Sequence, residues 1–548
     1  MDRRRFLLTS ATYATLAGCS KLSFLETTPV VSYPGMREGH LLRDAMPLPA
    51  PSGEITTDVA ILGSGAAALM AAWKLSKEGF HRFVVLEGPE FGGNASAGRF
   101  GELAFPRGAH YLPLPSMESV HIREMLLDVG VLLRNPMSER PYFDETVIVH
   151  APEARIHYRN KWQDGPLPAK DIPADELAQQ DRFFQHVESL KLARGGDGRK
   201  VFCIPVEHSS RDERWLQLDR VSFKQWLDEH AYTAETLHWY LNYACRDDYG
   251  TDYTRVSAWA GLHYFASRSG HAENAGDGAV LTWPDGLNGL MRCLVEVIDR
   301  RQHEAAIGPQ RGRELWRQTG FAIRAEERRS GVEVLCLEHT SDGPRAFVLR
   351  AKRVVFAMPV FIASRVFPSI GHYGFSPRDQ TPSYAPWLVS NFLMSRFPAE
   401  RPGAPLSWDN VVYKGRGLGY VVSTHQDLRV ARPAKTVFSA YQALSGETPD
   451  QARKWLARAM PRELYQQAAC DLEEVYGLRF PLCVESLDIT VRGHAMAAPL
   501  RGFLSNKGLS ALRAADGRVL FAHSDLSGLS VFEEATWWGY TAARRLLG

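Results

Sequence analysis

The chain has 548 residues, too many for one simple core and suited to two or three domains. Hydrophobic residues make up 45% and charged residues 23%, and 64 basic against 62 acidic residues leave a formal net charge of +2. This is an ordinary globular mixture without repeats or low-complexity tracts, and its balanced charge gives no footprint for nucleic acid.

Arg3-Arg4-Arg5-Phe6-Leu7 opens the chain, and a short, weakly apolar stretch follows to Ala17. The pattern resembles a twin-arginine export signal, which carries proteins already folded. Leu16-Ala17-Gly18-Cys19 resembles a bacterial lipoprotein cleavage site, so Cys19 is the expected lipidation site. The expectation is an exported protein on the periplasmic side of a bacterial membrane, held at the membrane surface by acyl chains. The apolar stretch is shorter than the ~18 residues a spanning anchor needs. Residues 1–19 are therefore set aside as a signal. Residues 20–55, with Pro29, Pro34, Pro47, Pro49 and Pro51, read as a tether.

Val59 to Leu62 predicts a short buried strand, and Gly63 and Gly65 a tight turn that a pyrophosphate can approach. Ala66 to Glu78 predicts a helix ended by Gly79, with Ala66 and Ala67 at its phosphate-facing start and Ala68 where a third glycine often stands. Phe83 to Leu86 predicts the second strand. Glu87 closes it, 24 residues after Gly63, where a carboxylate can accept both ribose hydroxyls. Strand, glycine turn, helix, strand and acid together indicate a dinucleotide site.

Later segments narrow the dinucleotide. Glu87-Gly88-Pro89-Glu90-Phe91-Gly92-Gly93-Asn94 resembles the double-glycine segment of the flavin-containing amine oxidase and phytoene desaturase superfamily. Gly108-Ala109-His110-Tyr111 resembles that superfamily's next segment, beside the isoalloxazine ring. Trp283-Pro284-Asp285-Gly286-Leu287-Asn288-Gly289-Leu290 is similar to its turn before a helix. Phe321 to Glu326, Val332 to Leu337 and Val354 to Pro359 resemble its later strands. Near the C-terminus, Arg518 to Asp525 and then Glu533, Ala535 and Gly539 match its flavin segment, with Glu534 in place of a glycine and Trp538 in place of a serine.

The resemblance implies an α/β protein with a Rossmann-type FAD-binding domain built from residues 56–115, 281–365 and 495–548. Residues 116–280 and 366–494 would form an α+β substrate domain. It implies FAD held by Gly63, Gly65, Ala66, Ala67, Glu87, Gly88, Gly92, Gly93, Asn94, Gly108, Ala109, His110, Tyr111, Phe321, Ser524, Asp525, Phe532, Glu533 and Ala535. The helix beginning near Phe532 would stabilise negative charge on the reduced flavin. The segment around His494 has no cysteine, so the flavin is expected to be bound non-covalently.

The sequence departs from the amine oxidases at the chemistry. The strand 385–392 has no lysine, Val531 stands where an aromatic is common, and 492–496 has none. His494 remains as a candidate proton acceptor, against the plainer reading of a packed histidine. Arg246 and Asp247, in the polar run Cys245 to Gly250, are candidates for substrate binding or for a structural ion pair. Trp408 to Val411 and Gly419 to Val422 predict two substrate-domain strands around a turn at Gly415. The seven cysteines show no C-x-x-C spacing and leave room for one disulfide; His263 and His271 make no metal site by spacing.

Three readings stay open. One is an exported FAD-dependent oxidoreductase taking a hydride from a small organic molecule, with an amine as the family default. The second is a flavin-dependent desaturase or isomerase on an apolar substrate. The third is a flavin-binding lipoprotein without catalysis. The sequence names neither the substrate nor the electron acceptor.

Overall fold

The computed structural model describes residues 28–44, 48–307, 316–429 and 431–548. The expected signal and Cys19 lie outside the described residues. The protein is α/β and contains two large sheets.

The first sheet has seven strands and runs Arg317–Gln318, Phe83–Leu86, Glu54–Leu62, Gly343–Phe356, Gly331–Thr340, Phe321–Arg328, with Val519–Phe521 joined to Gly343–Phe356. Its dinucleotide half is parallel: Val59–Leu62 pairs with Phe83–Leu86 on one side and Arg353–Phe356 on the other. Burial on both faces explains why these strands read as apolar runs. The helix Ala66–Lys77 packs between this sheet and the C-terminal helix Phe532–Leu547.

The second sheet has eight strands, in the order Val30–Ser32, Val484–Ala497, Tyr384–Met394, Thr436–Ala443, Tyr420–Val422, Asp409–Val412, Ala154–Tyr158, Lys161–Asp164. Asp409–Val412 and Tyr420–Val422 pair antiparallel, as their sequences predict. Every residue of Tyr384–Met394 is buried. A helical layer, including Glu235–Tyr249 and Ala258–Ala266, closes around Phe183, Phe223 and Trp259.

Three boundaries differ from expectation. Ile122, Met125, Leu132 and Phe143 share one core with Val59–Leu62, so residues 116–148 pack on the dinucleotide fold. The indole N–H of Trp73 donates to Asp128 at 2.6 Å and fixes that packing. The strand Val484–Ala497 crosses the expected 494/495 border without a break. The tether is also shorter than its composition suggests. Val30–Ser32 runs parallel to Asp488–Thr490, and after it comes the helix Met36–Asp44. Leu41 and Leu48 then pack beside Phe321 and Leu337. Prolines 29 and 34 bracket the strand without interrupting it, which an edge strand tolerates. All six described cysteines are free thiols.

Candidate functional site

Two glycine turns face each other. Gly63 has φ 124°, and a Cβ there would stand 2.3 Å from the Ala357 carbonyl oxygen. A Cβ on Gly93 would lie 3.6 Å from the Gly65 Cα, and one on Gly65 4.0 Å from the Gly92 carbonyl oxygen. Side chains would fill the gap, so glycine keeps it open for a close backbone approach. Gly65 caps the helix that starts with Ala66 and Ala67, and that end carries partial positive charge. Glu87 leaves the second strand with no side-chain hydrogen bond or ion pair among the described residues. Gly88 is bridged to Gly320, its N–H donating to the Gly320 carbonyl at 2.8 Å. Open amides, a helix N-terminus and a free acid fit a dinucleotide.

The next segments tie this cradle to the eight-stranded sheet. The Ala109 N–H donates to the Asn94 carbonyl at 2.7 Å, and a Cβ on Gly108 would stand 2.1 Å from that oxygen. The Asn94 side-chain amide donates to the Ala495 carbonyl at 2.7 Å. Arg492 reaches Glu90 at 2.8 Å and the Ser96 hydroxyl at 3.0 Å. Sequence reasoning missed this Glu90–Arg492 tie, because nothing local marks partners 402 positions apart.

The C-terminal helix presses on the glycine-turn helix: a Cβ on Gly539 would lie 2.0 Å from the Ala67 carbonyl oxygen. Phe532 and Ala535 are half-buried against the same core. Glu533 is buried, which pushes its pKa up, and Arg268 opposes that rise. Glu534 is pushed up to about 7 by burial; it accepts from the Ser527 hydroxyl and, at 2.7 Å, from the Val206 N–H. Asp525 accepts from the Val360 N–H at 2.9 Å and from the Tyr384 hydroxyl. Its burial raises the pKa, but His523, Tyr384 and the Val360 amide together hold it below the usual range. Its other oxygen stands 3.1 Å from His523 Nδ1 yet takes no hydrogen bond. Ser524 begins the same short turn.

From the cradle the chain passes through His110 and Tyr111 into a cavity of about 240 Å³. His110 stacks on Tyr441 with ring centroids 4.4 Å apart and faces Trp408 at 5.6 Å. Burial pushes His110 down to about 3, so it is neutral at physiological pH. Tyr240, Tyr243 and Tyr264 add to the wall. The charged groups in its lining are Asp247, Asp409 and Arg268. Asp247 is pushed up to about 7, first by burial and then by the charge of Asp248. Burial, and then Asp247, push Asp409 up to about 8.

Several candidates move. His494 is not among the residues lining the cavity. Its ring stacks on Phe361 at 4.8 Å and meets Tyr384 edge-on at 6.1 Å, and the residue is exposed. Packing, and then the Arg453 guanidinium, lower its pKa. The strand is bulged here: Ala385 pairs with Met496 and Trp387 with Arg492, so residues 493–495 oppose Pro386 alone. Proline offers no N–H to the ladder. The Phe321 ring is buried against Leu337 and Ala346, while its neighbour Gly320 accepts from the Gly88 N–H at the cradle. Arg246 forms no ion pair with Asp247 and donates to the carbonyls of Arg416 and Gly417. Asp409 and Tyr441 also line the site, although nothing local in their strands marks them as functional.

A family model described as an NAD(P)-binding Rossmann-like domain matches residues 61–128. Among solved structures, the chain resembles putrescine oxidase bound to putrescine, at 16% identity over 90% of this chain and 99% of that one, with a TM-score of 0.62. It resembles cyclohexylamine oxidase from Brevibacterium oxydans IH-35A at 16% identity over 89% and 98%, with a TM-score of 0.58. It also resembles a CLA-producing fatty acid isomerase from P. acnes at 16% identity over 90% and 99%, with a TM-score of 0.57. No curated protein matches it in sequence. The chain thus has the fold shared by these amine oxidases and this isomerase.

Proposed function

We propose that the chain is an FAD-dependent oxidoreductase that takes a hydride from a small organic substrate, with an amine as the leading class. The observation that carries this reading is the aromatic cavity bearing Asp247 and Asp409, entered directly from the glycine cradle through His110 and Tyr111. When bound, FAD supplies the hydride acceptor at its N5. Gly63, Gly65, Gly92 and Gly93, with the amides that open the helix at Ala66 and Ala67, hold the pyrophosphate. Glu87 accepts the ribose hydroxyls. Gly88, Asn94, Gly108 and Ala109 line the path, and Ser524 and Asp525 contact the cofactor from the C-terminal segment. The helix starting at Phe532 and Glu533 favours negative charge at its N-terminus. The aromatic walls exclude water and orient the substrate. FAD is held non-covalently, so acid precipitation is expected to release it; colour left in the pellet would refute this.

The second reading, an isomerase or desaturase on an apolar substrate, gains support from the absence of lysine among the residues lining the cavity. Against it, an apolar ligand would leave the Asp247 and Asp409 carboxyl groups short of hydrogen-bond partners. Anaerobic bleaching of the flavin band across amines, amino acids and isoprenoids separates the readings. Amines are expected to bleach it. Bleaching or turnover with isoprenoids alone would move the assignment to the second reading, and a flavin that none of them reduces would favour a binding protein.

The twin-arginine pattern and Cys19 support an exported protein, lipid-anchored on the periplasmic side of a bacterial membrane.

A further inference from the structure

One end of the eight-stranded sheet gathers exposed leucines and arginines that the proposed function does not use. At the close of the strand Tyr384–Met394, Met394 stands opposite Thr436 on one side and Val484 on the other, where the two neighbouring strands begin. The residues that follow Met394 and those that lead into the two neighbours therefore share this end. The Ser395 N–H donates to the Cys483 carbonyl at 2.8 Å, and the Thr424 and Thr436 hydroxyls meet at 2.6 Å, which holds these turns in place. Leu478 is 76% exposed, Leu428 72% and Leu482 55%. Leucines scattered singly over a surface need no explanation, but three at one end of one sheet form a patch.

Basic side chains accompany them. Arg429 pairs with Asp427 and Lys435 with Glu485, each at 2.6 Å. Arg396, Arg432 and Arg479 are exposed and form no ion pair among the described residues. The Arg432 guanidinium lies over the Phe397 ring at 3.6 Å, which keeps its charge at this end. Glu473 and Glu474 are exposed near the end of the preceding helix Pro461–Tyr476, so the positive charge is local to the turns. The course of the chain says what covers this surface. Val30–Ser32 runs parallel to Asp488–Thr490, so the chain approaches Val30, itself 63% exposed, from the side of Val484. Cys19, the proposed lipidation site, stands eleven positions before Val30. Acyl chains there would enter a bilayer close to the leucines. Four steps of about 4.8 Å between strands separate Val30–Ser32 from Tyr420–Val422, so this end is about 19 Å wide.

We infer that this end of the sheet docks on a bilayer with anionic headgroups, with Leu428, Leu478 and Leu482 in the headgroup boundary and Arg396, Arg432 and Arg479 on the phosphates. An exposed leucine leaves water when it enters that boundary, which is favourable. Each arginine near an anionic surface strengthens binding about fivefold. The surface deepens the export reading and rests on it for the presence of a membrane; the contact itself requires no acyl chain. Acyl chains fix one point of the body, whereas leucines and arginines spread over this end fix its orientation.

Vesicle flotation of the full flavin-loaded chain carrying Cys19→Ser, which removes the proposed lipidation site, tests the surface. Vesicles of phosphatidylcholine and phosphatidylglycerol are expected to bind it at least about tenfold more tightly than phosphatidylcholine alone. Replacing Leu428, Leu478 and Leu482 together with Ser should weaken binding at least about tenfold, and Arg396→Gln with Arg479→Gln about as much. Leu192→Ser, at a leucine 80% exposed elsewhere, should leave binding level. All these variants should hold FAD and melt with the parent, because the replaced side chains are exposed. Hydrogen exchange should slow in residues 395–400 and 477–484 when the mixed vesicles are added. No flotation, equal binding to phosphatidylcholine alone, an unaffected leucine triple variant, or exchange that never slows in these segments overturns the surface. Slowing that grows with protein concentration in the absence of vesicles overturns it in favour of a second copy of the chain. If the parent takes no fatty-acid label but vesicle binding and slowed exchange hold, the anchor fails and the surface stands. A labelled parent whose segments stay unprotected keeps the anchor and loses the surface.

Discussion

Glu87 ends a buried strand with a carboxylate that no other described side chain uses. A hydrogen bond to such a charged group contributes roughly 1.5–3 kcal/mol, or about tenfold to a hundredfold in affinity. Glu87→Ala is therefore expected to weaken FAD binding by that factor while leaving the melting temperature of the FAD-free protein unchanged. Flavin fluorescence titration measures it, and an unchanged affinity would remove Glu87 from the site. Asp409 allows a second test, by pH. Its folded pKa, about 8, lies above the unfolded value near ~3.9. The folded state keeps a proton that the unfolded chain releases, so this contribution is full below ~4 and is lost as pH rises toward about 8. Asp409→Asn does not titrate and should gain on the parent as pH rises. Scanning calorimetry at pH ~5 and pH ~8.5 should show the difference in melting temperature shifting by at least about 2 °C in favour of the variant. No change with pH would mean the carboxylate is freely hydrated. These residues also mark where sequence stops being informative. Gly63 and Gly65 are legible because a tight turn and a close approach are local demands. Asp409 and Tyr441 are not, because strand pairing across the large sheet brings them to the cavity. His494 is also beyond local reading, because the bulge that sets its place forms opposite Pro386, more than 100 positions earlier.

Among elements, the contact between Ala66–Lys77 and Phe532–Leu547 joins the two ends of the dinucleotide domain. Gly539 permits it, since the obstacle to any side chain there is the Ala67 backbone carbonyl, which has no rotamer to yield. Gly539→Val is expected to cost about 1–3 kcal/mol or more by overpacking, and to loosen the helix start that faces the pyrophosphate. A lowered melting temperature together with faster FAD release would bear this out; a variant as stable as the parent would show that the helices can separate freely. The sequence pattern pointed to Gly539 through its match to a flavin segment. What it did not disclose was the reason, a helix crossing too tight for a Cβ. Glu534 is the converse case. It replaces a glycine of that pattern, and the structure uses it to hold Val206 and Ser527.

For the whole molecule, the two sheets are bolted together by charged pairs across the cradle. Arg492 meets Glu90 at 2.8 Å and Arg107 meets Asp488 at 2.6 Å. The fold class was legible because buried parallel strands and glycine turns leave strong local traces. The allotment of residues 116–148 was not, since an amphipathic helix does not say which core it will join. The export reading belongs to this scale as well. Replacing Arg3 and Arg4 with Lys preserves charge but loses the guanidinium forks, and should retain folded protein in the cytoplasm. Cys19→Ser should permit export and abolish fatty-acid labelling; a variant labelled as strongly as the parent would end the lipoprotein proposal.

The strand Val30–Ser32 carries one further consequence for such an anchored protein. Because it is already woven into the sheet edge beside Asp488–Thr490, a lipid on Cys19, as proposed, would be separated from this strand by residues 20–29 only. Fully stretched, ten residues span about 35 Å, far short of what the 36 residues from 20 to 55 would reach. A leash that short, fastened at one edge of one sheet, would limit how far the body could swing. An enzyme moored this way would keep one flank toward the bilayer and draw its substrate from the film of water lying directly above the lipid.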